Sequence, residues 1–259
     1  MSFVSEYIQR SPYLLFSVQA LRNLLHGMPF DHGALKNAAY DTQLHKLMKA
    51  VLKPNSVCID GGANQGLVLE QMCALAPEAT HFAFEPIPHL HQQLMRTFPG
   101  QHVFDVALGD ENGTASFKHV VNAPAYSGLR ERNYNGLQMQ ISEIVVKVAK
   151  LDELIPPGTA IAFIKLDLEG GEYHAIRGGM RLIKEQRPFI AFEAGEGSTG
   201  SYGVTPEMLW DLLASELGLE LSMMDRWLSH QPGFSREEFL EAYRREFFYL
   251  AYPPECRRP

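Results

Sequence analysis

Cysteine is scarce in this chain: Cys58, Cys73 and Cys256 are an odd number at wide spacing, with no Cys-x-x-Cys pair. That usage suggests neither a disulfide framework nor a zinc site, and a reducing, cytoplasmic setting is the natural expectation. Long apolar runs are missing too. No window approaches the roughly 18 uninterrupted apolar residues of a membrane helix, and the N-terminus lacks the basic region, apolar core and cleavage site of a secretory signal. Basic charge is in deficit, with 23 Lys and Arg against 30 Asp and Glu and a net charge of -7. Such a balance gives no general attraction for nucleic-acid phosphates or anionic lipid. Internal repeats and low-complexity linkers are also lacking. What is present is apolar material, 46% of residues, enough to bury the core of one large domain.

Near the start, Leu14, Val18, Leu21 and Leu25 recur at helical spacing, and a second helical stretch runs from about Leu35 to Leu52, closed by Pro54. The polar face of the first stripe lacks the Lys and Arg richness of an interfacial helix, so residues 1–55 are expected to pack as helices on the body of the fold. From residue 56 strands and helices take turns. "SVCID", "HFAFEP" and "HVFDVALGD" have strand character, with helices in "LVLEQMCALA" and "HLHQQLMRTF" between them. "ASFKHVV" and "EIVVKVAKL" flank a polar, aromatic-bearing loop at about 122–136 and read as an insertion rather than another βα unit. "AIAFIKLDLE" predicts a strand, "GEYHAIRGGMRLIKEQ" its helix, and "PFIAFEAG" a further strand. After these come a helix capped by Thr205 with Pro206 in its first turn, the strand-like "LELSMMD", a helix opened by a Ser235 to Glu238 capping box, and "FFYLAYP". This alternation predicts a doubly wound, mostly parallel α/β sheet over residues 56–259.

In such sheets ligands sit beyond the carboxyl ends of the strands. Four predicted strand ends carry acids or glycines: "DGGANQG", Glu85, the run from Asp105 to Asp110, and "KLDLEGGE". Gly61, Gly62 and Gly66 allow a tight turn and close approach of a ligand to main-chain N–H groups. Glu85, 19 residues after Gly66, is suited to accept both hydroxyls of a ribose. This pairing fits a dinucleotide or an adenosyl cofactor. Ala63 stands where a dinucleotide fingerprint wants its central glycine, and Asp60 at the loop mouth would repel a pyrophosphate but suit the ammonium group of a methionine moiety. The adenosyl ligand is the better match; an NAD-dependent oxidoreductase is the alternative.

"CIDGGANQG", "FAFEPIPHLHQQL", "DVALGD", "AKLDEL", "FIKLDLEGGEYHAIRGG" and "PFIAFEA", in that order, resemble the FkbM-type S-adenosylmethionine-dependent methyltransferases from about Ser56 to Pro253. The resemblance implies a class I, Rossmann-like fold: a seven-stranded sheet, mostly parallel, whose last strand, "FFYLAYP", is inserted antiparallel. It also implies O-methylation of a small-molecule, sugar or natural-product hydroxyl. Carried over by position, Asp60, Gly61, Gly62, Asn64 and Gly66 would surround the methionine end of S-adenosylmethionine. Glu85 would hold the ribose, and Asp105, Ala107 and Leu108 would border the adenine. The family usually has a β-branched residue where this chain has Gly61, which is expected to loosen the loop.

The stretch "IKLDLEGG" is unusual for a buried strand, because Lys165, Asp167 and Glu169 alternate with apolar residues. Internal pairing is one explanation for Lys165, since unpaired buried charges are costly. For Asp167 and Glu169 the crevice is the expected address. Glu172 falls on the apolar stripe of Ala175, Ile176, Gly179, Leu182 and Ile183, so it is expected to face inward near Glu169. His174 lies off that stripe, as a solvated residue would. Methyl transfer to an alcohol needs alignment and a proton acceptor, and Asp167, Glu169, Glu172 and His174 are the candidates. The same cluster offers oxygen ligands to Mg2+, but no regular ligand spacing is present and no metal is assigned. In the inserted loop, Tyr126, Arg130, Arg132 and Tyr134 are candidates for binding a sugar or an anionic group. A non-catalytic adenosyl-binding protein stays open beside the two enzyme readings.

Overall fold

A computed structural model describes residues 32–122, 127–130 and 139–257. The Leu14 to Leu25 stripe and Tyr126, Arg132 and Tyr134 lie outside the described residues. The chain divides into two units, Met1–Lys46 and Leu47–Pro259. In the first, the described residues belong to helix α1 (His32–Val51), where the Thr42 hydroxyl donates back to the Ala38 carbonyl at 2.9 Å. All site residues discussed below belong to the second.

The second unit is built on a seven-stranded sheet of order β3-β2-β1-β7-β8-β10-β9. Its members are β1 (Val57–Gly61), β2 (Phe82–Phe84), β3 (His102–Phe104), β7 (Ile161–Leu166), β8 (Phe189–Glu193), β9 (Glu220–Ser222) and β10 (Phe248–Tyr252). Strands β3, β2, β1, β7 and β8 run parallel, and β10 is inserted antiparallel between β8 and β9. This is the expected doubly wound, Rossmann-like sheet with its antiparallel last strand in "FFYLAYP". The central strands are apolar on both faces because helices cover both: Ile59, Phe163, Ile164, Leu166, Ile190 and Phe192 are all fully buried. Helices α2 (Leu67–Leu75) and α3 (Pro88–Thr97) follow β1 and β2 as βα units. Among the described residues no helix is long and apolar enough to cross a membrane.

Three expectations are refined. The run "HVFDVALGD" is not one strand: it breaks at Asp105, β3 staying in the main sheet while β4 (Val106–Leu108) pairs with a second sheet. That sheet, order β4-β6-β5, contains β5 (Gly113–Val120) and β6 (Ile141–Ala149) as an antiparallel pair, which accounts for the inserted character of the segment. After the short helix α4 (Leu151–Leu154), the "GEYHAIRGGMRLIKEQ" helix is two helices, α5 (Glu172–Arg177) and α6 (Met180–Gln186). They part at Gly178, where a Cβ would stand 2.0 Å from the Gly109 carbonyl oxygen, and the Asp152 carboxylate accepts the N–H groups of Arg181 and Leu182, each at 2.8 Å, to cap α6. The expected caps are present: Thr205 accepts the Met208 N–H ahead of α7 (Pro206–Trp210), and Ser235 and Glu238 bond reciprocally.

Candidate active site

Because five neighbouring strands run parallel, their carboxyl ends share one edge, and the loops leaving that edge collect the candidate residues. Asp60 is the penultimate residue of β1 and is fully buried. Its partner is internal: Lys165 Nζ lies 3.3 Å from Asp60 Oδ1, 3.7 Å from Asp167 Oδ2, and donates to the Gly62 carbonyl at 2.9 Å. Burial alone would lower the Lys165 pKa, but the Asp60 and Asp167 carboxylates outweigh it and hold the ammonium above its ordinary range. Burial raises the Asp60 pKa, with Lys165 opposing. The internal pairing weighed for Lys165 is thus present.

The loop after β1 folds differently from the expectation that its main-chain N–H groups meet a ligand. Gly62 and Ala63 both donate to the Phe84 carbonyl at 3.0 Å, Gly66 donates to the Ala63 carbonyl at 2.7 Å, and Asn64 donates to Glu85 Oε2 at 2.8 Å. The glycines answer to the protein: Gly62, at φ 73°, would drive a Cβ to 2.0 Å from the Asp167 carbonyl oxygen, and Gly66, at φ 85°, into Leu94 and Phe98. Gly61 does not loosen the chain either, since Leu166 and Leu108 fill the space of its missing side chain. With those N–H groups engaged, the loop presents no anion cradle of the kind a pyrophosphate requires.

What the loop presents is acceptors. Asn64 Oδ1 and Asp60 Oδ2 are buried without a hydrogen-bond partner among the described residues, while Asp60 Oδ1 faces the Lys165 ammonium. The Glu85 carboxylate, at the end of β2 and 4% exposed, is oriented by the N–H groups of Ile87 and Asn64. Burial pushes the Glu85 pKa up to about 7, against the lowering effect of those two N–H groups. A set made of acceptors fits a ligand that brings ribose hydroxyls and an ammonium group, which is the donor pattern of S-adenosylmethionine. Ala107 and Leu108 are buried in β4, and Asp105, half exposed between β3 and β4, is ion-paired with Lys147 at 2.8 Å. That hydrogen bond holds the Asp105 carboxyl below its usual range.

The acids after β7 separate. The strand ends at Leu166, so Asp167 and Glu169 are loop residues; Glu169 adopts φ 55° and is 8% exposed. Glu172 faces inward as expected and is fully buried, its Oε1 accepting the Leu168 N–H at 2.6 Å. Burial first, then the neighbouring Glu193, push its pKa well above the carboxyl range. His174, off the apolar stripe as expected, keeps its side chain 34% exposed. It lines a cleft of about 390 Å³ with Asp110, Leu129, Arg130, Gly171 and Tyr202, and its Nδ1 lies 3.1 Å from Asp110 Oδ2. The Arg177 guanidinium approaches the same oxygen at 3.7 Å. Tyr202 forms one wall: its hydroxyl accepts the Arg130 N–H at 3.1 Å, the Arg130 guanidinium stands over its ring, and its ring lies 6.1 Å from that of His174. Burial, reinforced by Glu172, raises the Tyr202 pKa to about 12, so the phenol keeps its proton.

Two residues of this edge escaped a role in the sequence. Asp110 was visible as an acid after a strand, but its histidine lies 64 positions away. Glu193 ends β8 and completes a group with Asp167 and Glu169, one oxygen of each within 4.8 Å of the others. The rule that strand-end acids line the crevice extends to it.

Comparison with known proteins bears on this edge. Residues 60–222 match the family model described as "Methyltransferase FkbM domain". The chain is similar to the 2-O-methyltransferase NoeI of Sinorhizobium fredii, 27% identical over 232 residues that cover 82% of this chain and 90% of the relative. Among solved structures it is similar to a methyltransferase FkbM from Methylobacillus flagellatus, with a TM-score of 0.47, 17% identity, and coverage of 78% of this chain and 45% of that one. It is also similar to a TehB-like SAM-dependent methyltransferase from Corynebacterium glutamicum, with a TM-score of 0.44, 16% identity, and coverage of 92% and 95%.

Proposed function

The chain belongs to the methyltransferase FkbM family, and on that premise we propose that it is an O-methyltransferase, moving the methyl group of S-adenosylmethionine to a hydroxyl of a small molecule, sugar or natural product. The observation that carries the oxygen-directed reading is the Asp110–His174 pair on the wall of the cleft. An alcohol is too weak an acid to ionise unaided, so a proton acceptor beside it is the group the chemistry requires of the protein. The 2-O-methyltransferase relative supports the same direction.

The cofactor, when bound, supplies a sulfonium-activated methyl group. Asp60, Asn64 and Glu85 are the residues that would hold it, Glu85 accepting from the ribose and Asn64 Oδ1 from the ammonium. In the cleft, Asp110 can only accept, so the shared hydrogen places the His174 proton on Nδ1 and leaves Nε2 with the lone pair that takes the hydroxyl proton. Tyr202, protonated, and Arg130 offer donors to oxygen atoms of an acceptor along the same wall. Glu169 and Glu172 neighbour this wall, Glu169 against Gly128 and Glu172 through its effect on Tyr202.

The test is methyl transfer from labelled S-adenosylmethionine to a panel of hydroxylated glycans and polyketides, alongside calorimetry with S-adenosylhomocysteine and with NAD. Binding of S-adenosylhomocysteine with transfer to a hydroxyl is expected. Binding of NAD in its place would overturn the reading, and cofactor binding without transfer to any of these acceptors would favour a non-catalytic role.

A further inference from the structure

The carboxyl ends of β7 and β8 hold acids that the proton transfer above does not use. Asp167 and Glu169 leave β7, Glu193 ends β8, and one oxygen from each lies within 4.8 Å of the other two. Glu169 and Glu193 are 8% and 9% exposed, while the Asp167 side chain, 38% exposed, opens to solvent. Oxygen ligands bind Mg2+ at about 2.0–2.1 Å and Ca2+ at about 2.3–2.6 Å, so one such ion between the three oxygens is in bonding reach of all of them with little movement.

A second, independent feature points into the same place. Glu172 is fully buried on α5, and the hydrogen bond from the Leu168 N–H to its Oε1 sets its carboxyl against the loop that carries Asp167 and Glu169. Its other oxygen, Oε2, is buried without a hydrogen-bond partner among the described residues. The charges of Glu193 and Asp167 act on this carboxyl. Asp167 links this group to the buried pair of the sheet: it lies 3.7 Å from Lys165 Nζ, whose ammonium is occupied by Asp60 at 3.3 Å and the Gly62 carbonyl at 2.9 Å. A donor set of carboxylate oxygens, without a thiolate or imidazole among them, matches a hard divalent cation.

We propose that Asp167, Glu169 and Glu193, with Glu172 Oε2 behind them, form a binding site for one divalent cation of the Mg2+ class. The site adjoins the cleft through Tyr202: a Cβ on Gly128 would lie 3.4 Å from both the Glu169 Cβ and the Tyr202 hydroxyl, and Tyr202 neighbours His174. The ion's use rests on the methyltransferase reading: coordinated to an acceptor hydroxyl, it lowers the pKa of that group and eases loss of its proton to His174 Nε2. A vicinal diol, which offers two oxygens to one ion, is the acceptor class such a site favours.

The experiment uses the full chain, stripped with chelator, titrated with Mn2+ alone, and read by the electron paramagnetic resonance of free Mn2+. One Mn2+ site per chain, displaced by Mg2+, is expected. Glu193→Gln and Asp167→Asn should each weaken Mn2+ by roughly ten-fold or more, with S-adenosylhomocysteine affinity within about two-fold of the parent as the check on folding. If the buried Glu193→Gln does not fold, the more exposed Asp167→Asn carries the test. Absence of Mn2+ binding, or binding unchanged in these variants, overturns the proposal. A chain that binds S-adenosylhomocysteine but not Mn2+ loses only the cation site; one that binds Mn2+ through these acids but not S-adenosylhomocysteine loses the methyltransferase reading instead.

Discussion

Lys165 Nζ and Asp60 Oδ1 stand 3.3 Å apart, both side chains almost wholly buried, joining the carboxyl end of β7 to that of β1 in the middle of the sheet. The pair explains why a strand in the sheet interior tolerates a lysine. It also fixes the loop geometry around it, because the same ammonium donates to the Gly62 carbonyl.

Lys165→Met should destabilise the fold by about 3 kcal/mol or more, since it leaves Asp60 buried without its cation. The Asp60→Asn, Lys165→Met double variant should recover a large part of that loss. Urea midpoints of the parent and the two variants measure this; equal stabilities for Lys165→Met and the parent would mean that the pair contributes nothing.

His174→Ala should lower kcat by about 10² to 10⁴ while S-adenosylhomocysteine affinity stays near that of the parent. Asp110→Asn should fall between the two, because it keeps a hydrogen bond to the ring but no longer dictates which nitrogen carries the proton. An unchanged kcat in His174→Ala removes the histidine as base.

Glu85 gives a pH dependence to stability. Its folded pKa, about 7, lies above the ordinary carboxyl value of 4.5, so the neutral form is the one the fold favours. The contribution is fully present below pH 4.5 and is lost as pH rises through about 7, a change of roughly 3 kcal/mol. Glu85→Gln should therefore gain stability relative to the parent between pH 5 and pH 8. Thermal unfolding at both values checks it, and a parallel pH profile for parent and variant would contradict it.

Gly62→Ala should cost roughly 2 kcal/mol or more, from its φ of 73° and from a Cβ 2.0 Å from the Asp167 carbonyl oxygen. Gly100→Ala, with nothing within 4 Å of the added carbon, should stay within about 0.5 kcal/mol of the parent. Circular-dichroism melts of the two report the contrast, and equal melting temperatures would refute the packing role of Gly62.

The βα alternation from Val57 onward, the caps at Thr205 and Ser235, and the inward face of Glu172 were all legible in the chain, because each is set by neighbours within a few positions. The break of "HVFDVALGD" at Asp105 was not, since it depends on which of two sheets each half pairs with. The division of the Glu172–Gln186 stretch was hidden for a similar reason, the close approach of Gly178 to Gly109.

Periodicity by itself determined the sheet's character and put acids and glycines at its carboxyl edge, since hydrophobic spacing and turn residues act locally. Only the tertiary structure decided what those residues face. It turned the glycine-loop N–H groups onto Phe84 and Glu85, gave Lys165 to Asp60, brought Asp110 to His174, and added Glu193 to Asp167 and Glu169. Partners far apart in the chain meet through strand order and register, and no local spacing encodes which of the acids at an edge will meet.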